Sequence, residues 1–452
     1  MTQPAIGNGP AIAAYIAGAR RRALPQDVAD MARLCLADWL GVAIGAADEP
    51  AGHIVRKVAA GWHSEGPSTI LFGGTAAAPF AALANGTLAH CLDFDDTYVK
   101  AITHTSAPVW AATLALGEEV GADEPAMLSA FVTGFETAGR IGSGLGEAVT
   151  ARGWHGTGVF GRLGAAAAAA ALLRLSAEQV LHALGAAATQ TGGLTASFGT
   201  MAKPFHAGKA AMDGVVAAQL AAAGFTAATG LFEPGGGLDT ALVQDRSVTF
   251  ASLDTPGDLS GWRILDNSFK PYAACHLTHP AVDAAHTLAL SANERGAIAS
   301  VRAEIGALAQ QITGGKSGMP ATPLEGKFDL KYCIALGLHG HALSAADFRE
   351  PWHPDPAICA TAGKVENTVS PEMGFASARL TVEFADSRRE TVHVPVAKGH
   401  PQNPMNWDDM HAKFDALVSR RLGSRSDALF ELVRDFGRGN VLDEIRAILA
   451  RL

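Results

Sequence analysis

The chain has 452 residues, of which 48% are hydrophobic and only 17% are charged. This length exceeds what one hydrophobic core usually supports, so two domains are expected. The formal net charge of −9, without a long run of Lys and Arg, argues against a protein that binds nucleic acid.

Cysteine usage and hydropathy favour a protein of the cytoplasm. The five cysteines are scattered and never form a CxxC spacing, which is typical of a reducing compartment. The longest apolar run, residues 163–173, is too short to span a bilayer. The first ten residues are polar and contain Gly and Pro, unlike a signal peptide. We therefore expect a cytoplasmic location and no membrane partner.

Helical periodicity dominates the first half of the chain. Pro25 is suited to the first position of a helix, and Val28, Cys35 and Trp39 recur at helical spacing after it. We find no clear strand-like alternation before about residue 245. The predicted helices cover residues 11–21, 25–45, 50–61, 78–91, 107–121, 124–140, 157–174, 177–188 and 207–223.

The composition changes at residues 253–257, and a mixed segment follows. Alternating apolar and polar residues predict strands at 300–305, 379–384 and 390–394, the last two joined by a hairpin loop. Short helices are expected at 344–350 and 356–362. Three further helices, at 405–420, 425–437 and 441–451, are expected to return to the first helical part.

These elements predict a mainly α protein with two parts. A large discontinuous all-α helical domain would comprise residues 1–265 and the C-terminal helices of residues 403–452. A smaller α+β lid domain would comprise residues 266–402.

A short polar segment between two apolar stretches is the strongest candidate for a functional site. It contains Asp93, Asp95, Asp96, Thr97 and His104. Desolvating an unpaired carboxylate is costly, so these groups must have partners or a function. In one alternative, the carboxylates cap the next helix and pair with Lys100. In another, residues of ligand type bind a metal ion, although no second ligand pair stands out. The metal-ligand types are His90, Asp93, Asp95 and His104.

Three later motifs supply basic groups. His155 stands in a Gly-rich segment, residues 153–161, at the expected start of a helix. Lys203 precedes a proline, with His206 close behind it. At the junction of the two predicted parts, residues 269–280 contain four further candidates: Lys270, Tyr272, Cys275 and His276.

Together the basic residues would form a cationic pocket in an acidic protein. Such a pocket suits a small anionic substrate, a di- or tricarboxylate. Asp93 and the histidines can transfer protons near neutral pH. The chemistry that needs only these groups is proton abstraction next to a carboxylate, followed by loss of hydroxide, loss of CO2 or reprotonation. The basic residues are His104, His155, Lys203, His206, Lys270 and His276.

Over nearly its whole length the chain resembles the MmgE/PrpD family. The resemblance rests on the segments at residues 90–97, 153–158, 201–208, 269–272 and 326–328. It implies a discontinuous helical domain with a smaller lid, a homodimer, and a lyase that needs neither a metal nor an organic cofactor. The substrates implied are citrate- or aconitate-like acids, such as 2-methylcitrate or cis-aconitate, which a dehydratase or decarboxylase would use.

The resemblance also implies roles for individual residues. Asp93, His104, His155 and Lys203 are the predicted catalytic residues. The chain departs from the family pattern at Cys275, where some members have a histidine, and at Thr105 after His104. The substrate-binding residues predicted are Thr97, His206, Lys270, Tyr272, Cys275 and His276. Two alternatives stay open: a cofactor-independent epimerase of a polycarboxylate, and a non-catalytic helical dimer that binds a carboxylate.

Overall fold

The computed structural model describes residues 7–245, 247–248 and 261–452. The predicted change of composition at residues 253–257 lies outside these residues. The chain forms two compact units, one of Met1–Ser268 with Met410–Leu452 and one of Phe269–Asp409. Within the described ranges, every helix is too short or too polar to cross a bilayer.

The first unit is built mainly of helices, as predicted. The helices that precede residue 245 are α1 (Asn8–Ala17), α2 (Gln26–Gly45), α3 (Pro50–Gly61), α4 (Ala78–Leu88), α5 (Ser106–Glu119), α6 (Glu124–Ser143), α7 (Gly146–Ala151), α8 (Gly156–Leu172), α9 (Ala177–Ala188), α10 (Ala202–Ala222) and α11 (Leu238–Val243). The expectation of no strand in this part is wrong, because β1 (Ser68–Ile70) and β2 (Gly74–Ala76) form a small antiparallel hairpin. Strands of three residues are too short to show a periodicity.

Close packing of small residues holds this unit together. The alanines of α8 between residues 165 and 171 are all buried. The helix α8 packs against α6 and α10, and α10 packs in turn against α4. Small side chains allow the axes of neighbouring helices to approach closely. The aromatic content of the sequence is only 7%, which fits a helical core built from small residues.

The second unit is an α+β structure around one four-stranded sheet. Its strands are β3 (Ile298–Ile305), β4 (Val365–Val369), β5 (Ala378–Phe384) and β6 (Arg389–Val394), in the order β4-β3-β5-β6. The three predicted strands are confirmed as β3, β5 and β6. The strand β4, which pairs parallel to β3, was not predicted. Alternate residues of β5 are buried in the core of this unit.

Further helices complete the second unit and end the chain. The helices of the second unit are α12 (His279–Leu288), α13 (Ala292–Gly296), α14 (Ala307–Ala309), α15 (Pro323–Lys327), α16 (Leu330–Leu338) and α17 (Pro356–Ala362). The expected helix at 344–350 is a 3₁₀ turn at Ala345–Phe348. The C-terminal helices are α18 (Trp407–Leu422), α19 (Arg425–Arg434) and α20 (Leu442–Leu449). The mainly α class is therefore confirmed.

Candidate active site

The acidic segment predicted from the sequence is a tightly folded loop between α4 and α5. Asp93 and Ile102 adopt left-handed backbone conformations, with φ of 51° and 50°. Residues other than glycine rarely adopt such angles unless the surroundings hold them there. Hydrogen bonds between the backbones of Thr97 and Ser268, at 2.8 and 3.0 Å, hold one side of the loop. The loop thus keeps its acidic residues buried.

The alternative that pairs this loop with Lys100 is wrong. Lys100 forms an ion pair with Asp266 at 2.6 Å, and more than a third of each side chain is exposed. At the start of α5, Thr105 occupies the capping position, and no side chain accepts a capping hydrogen bond there. The carboxylates of the loop therefore have other partners.

Asp95 lies between two histidines. Its Oδ2 is 2.9 Å from Nδ1 of His90 and 3.2 Å from Nδ1 of His104. Burial raises the pKa of Asp95, but the two imidazoles together hold it well below its usual range. Burial also lowers the pKa of His90 to about 4, an effect that Asp95 only partly offsets. Since an ionised carboxylate is only an acceptor, Nδ1 of neutral His90 must donate to Asp95.

Lys203 brings a positive charge to the same cluster. It lies in the first turn of α10, is buried, and donates a hydrogen bond to Oδ1 of Asp93. The same Oδ1 is 3.7 Å from Nε2 of His104. Of the two carboxylates near His104, that of Asp95 is the nearer. His104 thus contacts two carboxylates, one of which is paired with a lysine.

A second pair of imidazoles adjoins these residues. Nδ1 of His155 is 3.1 Å from Nδ1 of His206, so one ring must donate to the other. The ring of His155 also stacks on that of His90, with centroids 5.7 Å apart. Burial, and then the charge of Lys203, lower the pKa of both His155 and His206. Both rings are therefore neutral near pH 7, and protonating either of them is unfavourable because the new charge would be buried close to that of Lys203.

The packing of α10 on α4 brings Lys203 to the loop. A Cβ atom on Gly208 would lie 2.2 Å from the carbonyl oxygen of Leu83 and 2.2 Å from Oγ1 of Thr87. Only glycine permits this approach. Because α4 ends just before His90 and α10 begins just before Lys203, the contact places the two ends next to each other. The first turn of α8 adds a further tie, since the backbone N–H of His104 donates to Oγ1 of Thr157 at 3.0 Å.

Asp96 and Thr97 end the acidic run, and both are buried. Asp96 accepts hydrogen bonds from Oγ of Ser106 and, at 2.7 Å, from Nδ2 of Asn267. Burial, reinforced by the nearby charge of Asp38, raises the pKa of Asp96 to about 7. In the described part of the chain, Oγ1 of Thr97 has no hydrogen-bond partner.

The remaining predicted residues belong to the second unit. Lys270 is buried, and it follows Ser268 by two positions in the chain. The hydroxyl of Tyr272 donates to Oδ1 of Asp283 at 2.5 Å, which gives this tyrosine a partner inside its own unit. The backbone N–H of Cys275 donates to the carbonyl of Lys327 at 2.8 Å. The ring of His276 packs on that of His279 at 4.8 Å.

The structure brings together five of the predicted residues and adds two partners. His90 was noted in the sequence only as a metal-ligand type and Asp95 only as a member of the acidic segment and a metal-ligand type, and their contacts with the catalytic candidates were missed. Their spacing of five positions on one tight loop was the available signal. The predicted residues that lie together in the first unit are Asp93, His104, His155, Lys203 and His206.

The same cluster has the donor types of a metal site. One donor atom from each of His90, Asp93, Asp95 and His104 lies within 4.8 Å of every other. However, the ammonium group of Lys203 already bonds to Asp93, and a cation bound there would have to displace it or share the carboxylate. The geometry supports proton transfer directly, because a buried lysine, two carboxylates and several imidazoles are in contact.

Comparisons with known proteins give the family of the chain. The chain is 27% identical over 377 residues to cis-aconitate decarboxylase from Homo sapiens, covering 79% of this chain and 76% of that protein. It is 26% identical over 409 residues to cis-aconitate decarboxylase from Aspergillus terreus, covering 84% and 83%. The model of the MmgE/PrpD N-terminal domain matches residues 10–251, and that of the MmgE/PrpD C-terminal domain matches residues 272–436. The chain therefore belongs to the MmgE/PrpD family.

Proposed function

We propose that this protein is a lyase that acts on a small aconitate-like di- or tricarboxylate by proton transfer, without a metal or organic cofactor. The observation that carries the proposal is the contact of Lys203, Asp93, His104 and Asp95 in one cluster, in which the lysine and both carboxylates are buried. The names of the relatives, which are decarboxylases of cis-aconitate, support the substrate class.

His104 is the proposed acid and base. It lies between the carboxylates of Asp93 and Asp95, which can stabilise its imidazolium form during proton transfer. His155 is the proposed second proton-transfer group, or the donor to a developing oxyanion. Lys203 would hold a carboxylate of the substrate. An ammonium group has three donors, so Lys203 can bond to Asp93 and to a substrate at the same time.

Decarboxylation and dehydration place different demands on this cluster. In decarboxylation, the bond between a carbon and its carboxylate breaks, CO2 leaves, and the electron pair stays on carbon until His104 delivers a proton. In dehydration, a base removes a proton next to a carboxylate, and the hydroxyl group leaves as water after it has been protonated. Both routes build negative charge beside a carboxylate, which fixed positive charges stabilise.

Proton NMR in D2O tests this proposal and its alternatives. The purified protein is incubated separately with cis-aconitate, citrate, 2-methylcitrate and iminodisuccinate. Loss of CO2 or water from one acid supports the lyase. Deuterium uptake at one stereocentre without such loss would instead identify an epimerase. Tight binding without any exchange of protons would identify a carboxylate-binding protein and contradict the enzyme assignment.

Independence from a metal is tested in the same assay. The protein is dialysed against a chelator and compared with an untreated sample. We expect equal turnover, because Lys203 supplies the positive charge that a cation would otherwise provide. A loss of activity that added Zn²⁺ or Mg²⁺ restores would contradict this and would favour a metal at the His90, Asp93, Asp95 and His104 cluster.

The family resemblance also supports a homodimer as the functional form. Light scattering on the eluting protein gives its mass in solution. We expect twice the mass of the 46.5 kDa chain. A mass equal to that of one chain at assay concentration would contradict the dimer.

A further inference from the structure

A buried ion pair lies against the acidic loop on the side of α2 and α18. Nζ of Lys413, in α18, is 2.5 Å from Oδ1 of Asp38, in α2. The side chains are 3% and 1% exposed, so the pair is removed from water. Neither residue belongs to the predicted catalytic or substrate-binding set.

This pair holds the main chain on both sides of Asp95. Nζ of Lys413 also donates to the carbonyl oxygen of Phe94 at 2.7 Å. Oδ2 of Asp38 accepts from the backbone N–H of Asp96 at 2.9 Å. The peptide groups before and after Asp95 are therefore both bound by the same ion pair. Since φ and ψ of a residue set the orientation of these two groups, fixing both of them fixes the backbone of Asp95.

A fixed backbone determines where the Asp95 carboxylate can reach. That carboxylate contacts His90 and His104, at 2.9 and 3.2 Å. A shift of about 1 Å in such a contact can lower turnover about a hundredfold. We propose that the Lys413–Asp38 pair is a positioning device, which orients His104 for proton transfer by fixing Asp95. This inference rests on the proposed function only in so far as His104 is the acid and base.

A purely structural role is the competing explanation. Buried ion pairs contribute little net stability, because desolvation offsets their attraction. If the pair only joined α2 to the C-terminal helices, replacing both charges would leave turnover unchanged. The hydrogen bonds to Phe94 and Asp96 instead connect the pair to the cluster that would carry out the chemistry.

The test uses the double variant Asp38→Asn/Lys413→Met in the full-length protein. It removes both charges together, so no unpaired charge is left buried, and the amide keeps an acceptor for Asp96. The matched control is Asp30→Asn/Arg33→Met. Arg33 lies on the same helix and donates to the carbonyl of Phe436 at 2.7 Å and to Asp30 at 2.8 Å, and thus joins α2 to the C-terminal region at another place.

We expect the Asp38/Lys413 variant to lose kcat about 10- to 100-fold with KM nearly unchanged, while the control keeps both constants. A crystal structure of this variant should show the Asp95 carboxylate displaced from His104. Wild-type kcat, or an Asp95 carboxylate in its original place, would overturn the proposal. If the double variant does not fold, Asp38→Asn/Lys413→Gln is judged by the same two criteria.

The structural readout separates this inference from the proposed function. If the wild-type protein turns over none of the acids offered, the lyase assignment fails. The position of Asp95 in the double variant still shows whether the ion pair fixes it.

Discussion

Lys203 and Asp93 are 110 positions apart in the chain, yet the lysine ammonium donates directly to the aspartate carboxylate. The contact joins the first turn of α10 to a residue in a left-handed backbone conformation. It gives Asp93 a fixed positive neighbour and places that charge beside His104.

Replacing Lys203 should therefore abolish most of the activity. We expect Lys203→Met to lower kcat/KM about 10²- to 10³-fold, because a fixed charge next to the developing anion is lost. Lys209→Met is the matched control, since Lys209 lies on the same helix, is 42% exposed and pairs with Asp213. Steady-state kinetics, with circular dichroism to confirm folding, measures both variants. Equal activity of the two would contradict the role of Lys203.

His104 is expected to be the most sensitive histidine. His104→Gln keeps a side chain of similar size but cannot exchange a proton near neutral pH, so we expect kcat to fall about 10²- to 10⁴-fold. The control is His411→Gln, because His411 is 43% exposed and pairs with Asp427 at the surface. Retention of full turnover by the His104 variant would rule out its role as acid and base.

Gly208 tests how the site is assembled. In Gly208→Ala the new methyl group would lie 2.2 Å from backbone and side-chain atoms of α4, so α10 must move away. We expect a loss of about 1 to 3 kcal/mol in the free energy of unfolding and lower kcat, since Lys203 and His206 lie on that helix. Gly61→Ala, with no atom within 4 Å of its new methyl group, should not lower the free energy of unfolding and should leave kcat unchanged. Urea denaturation measures the free energy of unfolding of each variant, and steady-state kinetics measures its kcat.

Asp96 should make the folded protein less stable as the pH rises. Its pKa is about 7 in the folded state, because burial and Asp38 oppose ionisation, against about 3.9 in an unfolded chain. Its contribution to stability is thus fully present below pH ~4 and is lost as the pH approaches 7.

Asp96→Asn removes this dependence. As the pH rises from 5 to 8, the wild type loses the contribution of Asp96 and the variant does not. The free energy of unfolding of the variant should therefore increase by on the order of 2 kcal/mol relative to that of the wild type. Urea denaturation at the two pH values measures this gain. Asp443→Asn, at a side chain that is 94% exposed, should show none. If the free energies of unfolding of Asp96→Asn and the wild type differ by the same amount at pH 5 and at pH 8, Asp96 ionises normally.

The sequence was sufficient to predict elements whose signal lies within the element itself. The predicted α17 has the observed bounds, Pro356–Ala362, because a proline fits the first turn and an aspartate before it accepts the capping hydrogen bond. The strand β5 was found because its burial alternates with a period of two. The strand β4 was missed, since it is mostly exposed and its residues do not alternate in hydrophobicity.

The candidate site was predictable as a set of residue types but not as a set of pairs. The acidic loop was recognised because carboxylates stood between apolar segments. That Lys203 bonds to Asp93 depends on how α10 packs on α4, and that Asp95 rather than Asp93 lies nearer to His104 depends on how the loop between α4 and α5 folds. Lys413 gave no signal at all, because a lysine in an amphipathic helix with many charges is normally a surface residue.

The location of Lys413 has a consequence for the synthesis of the protein on the ribosome. The ammonium group that contacts the carbonyl of Phe94 lies 319 positions downstream of its acceptor in the chain. The loop that holds Asp95 therefore cannot receive this contact until α18 has been synthesised. A prematurely terminated chain that ends before α18 would therefore have the proposed acid and base without the contact that orients it.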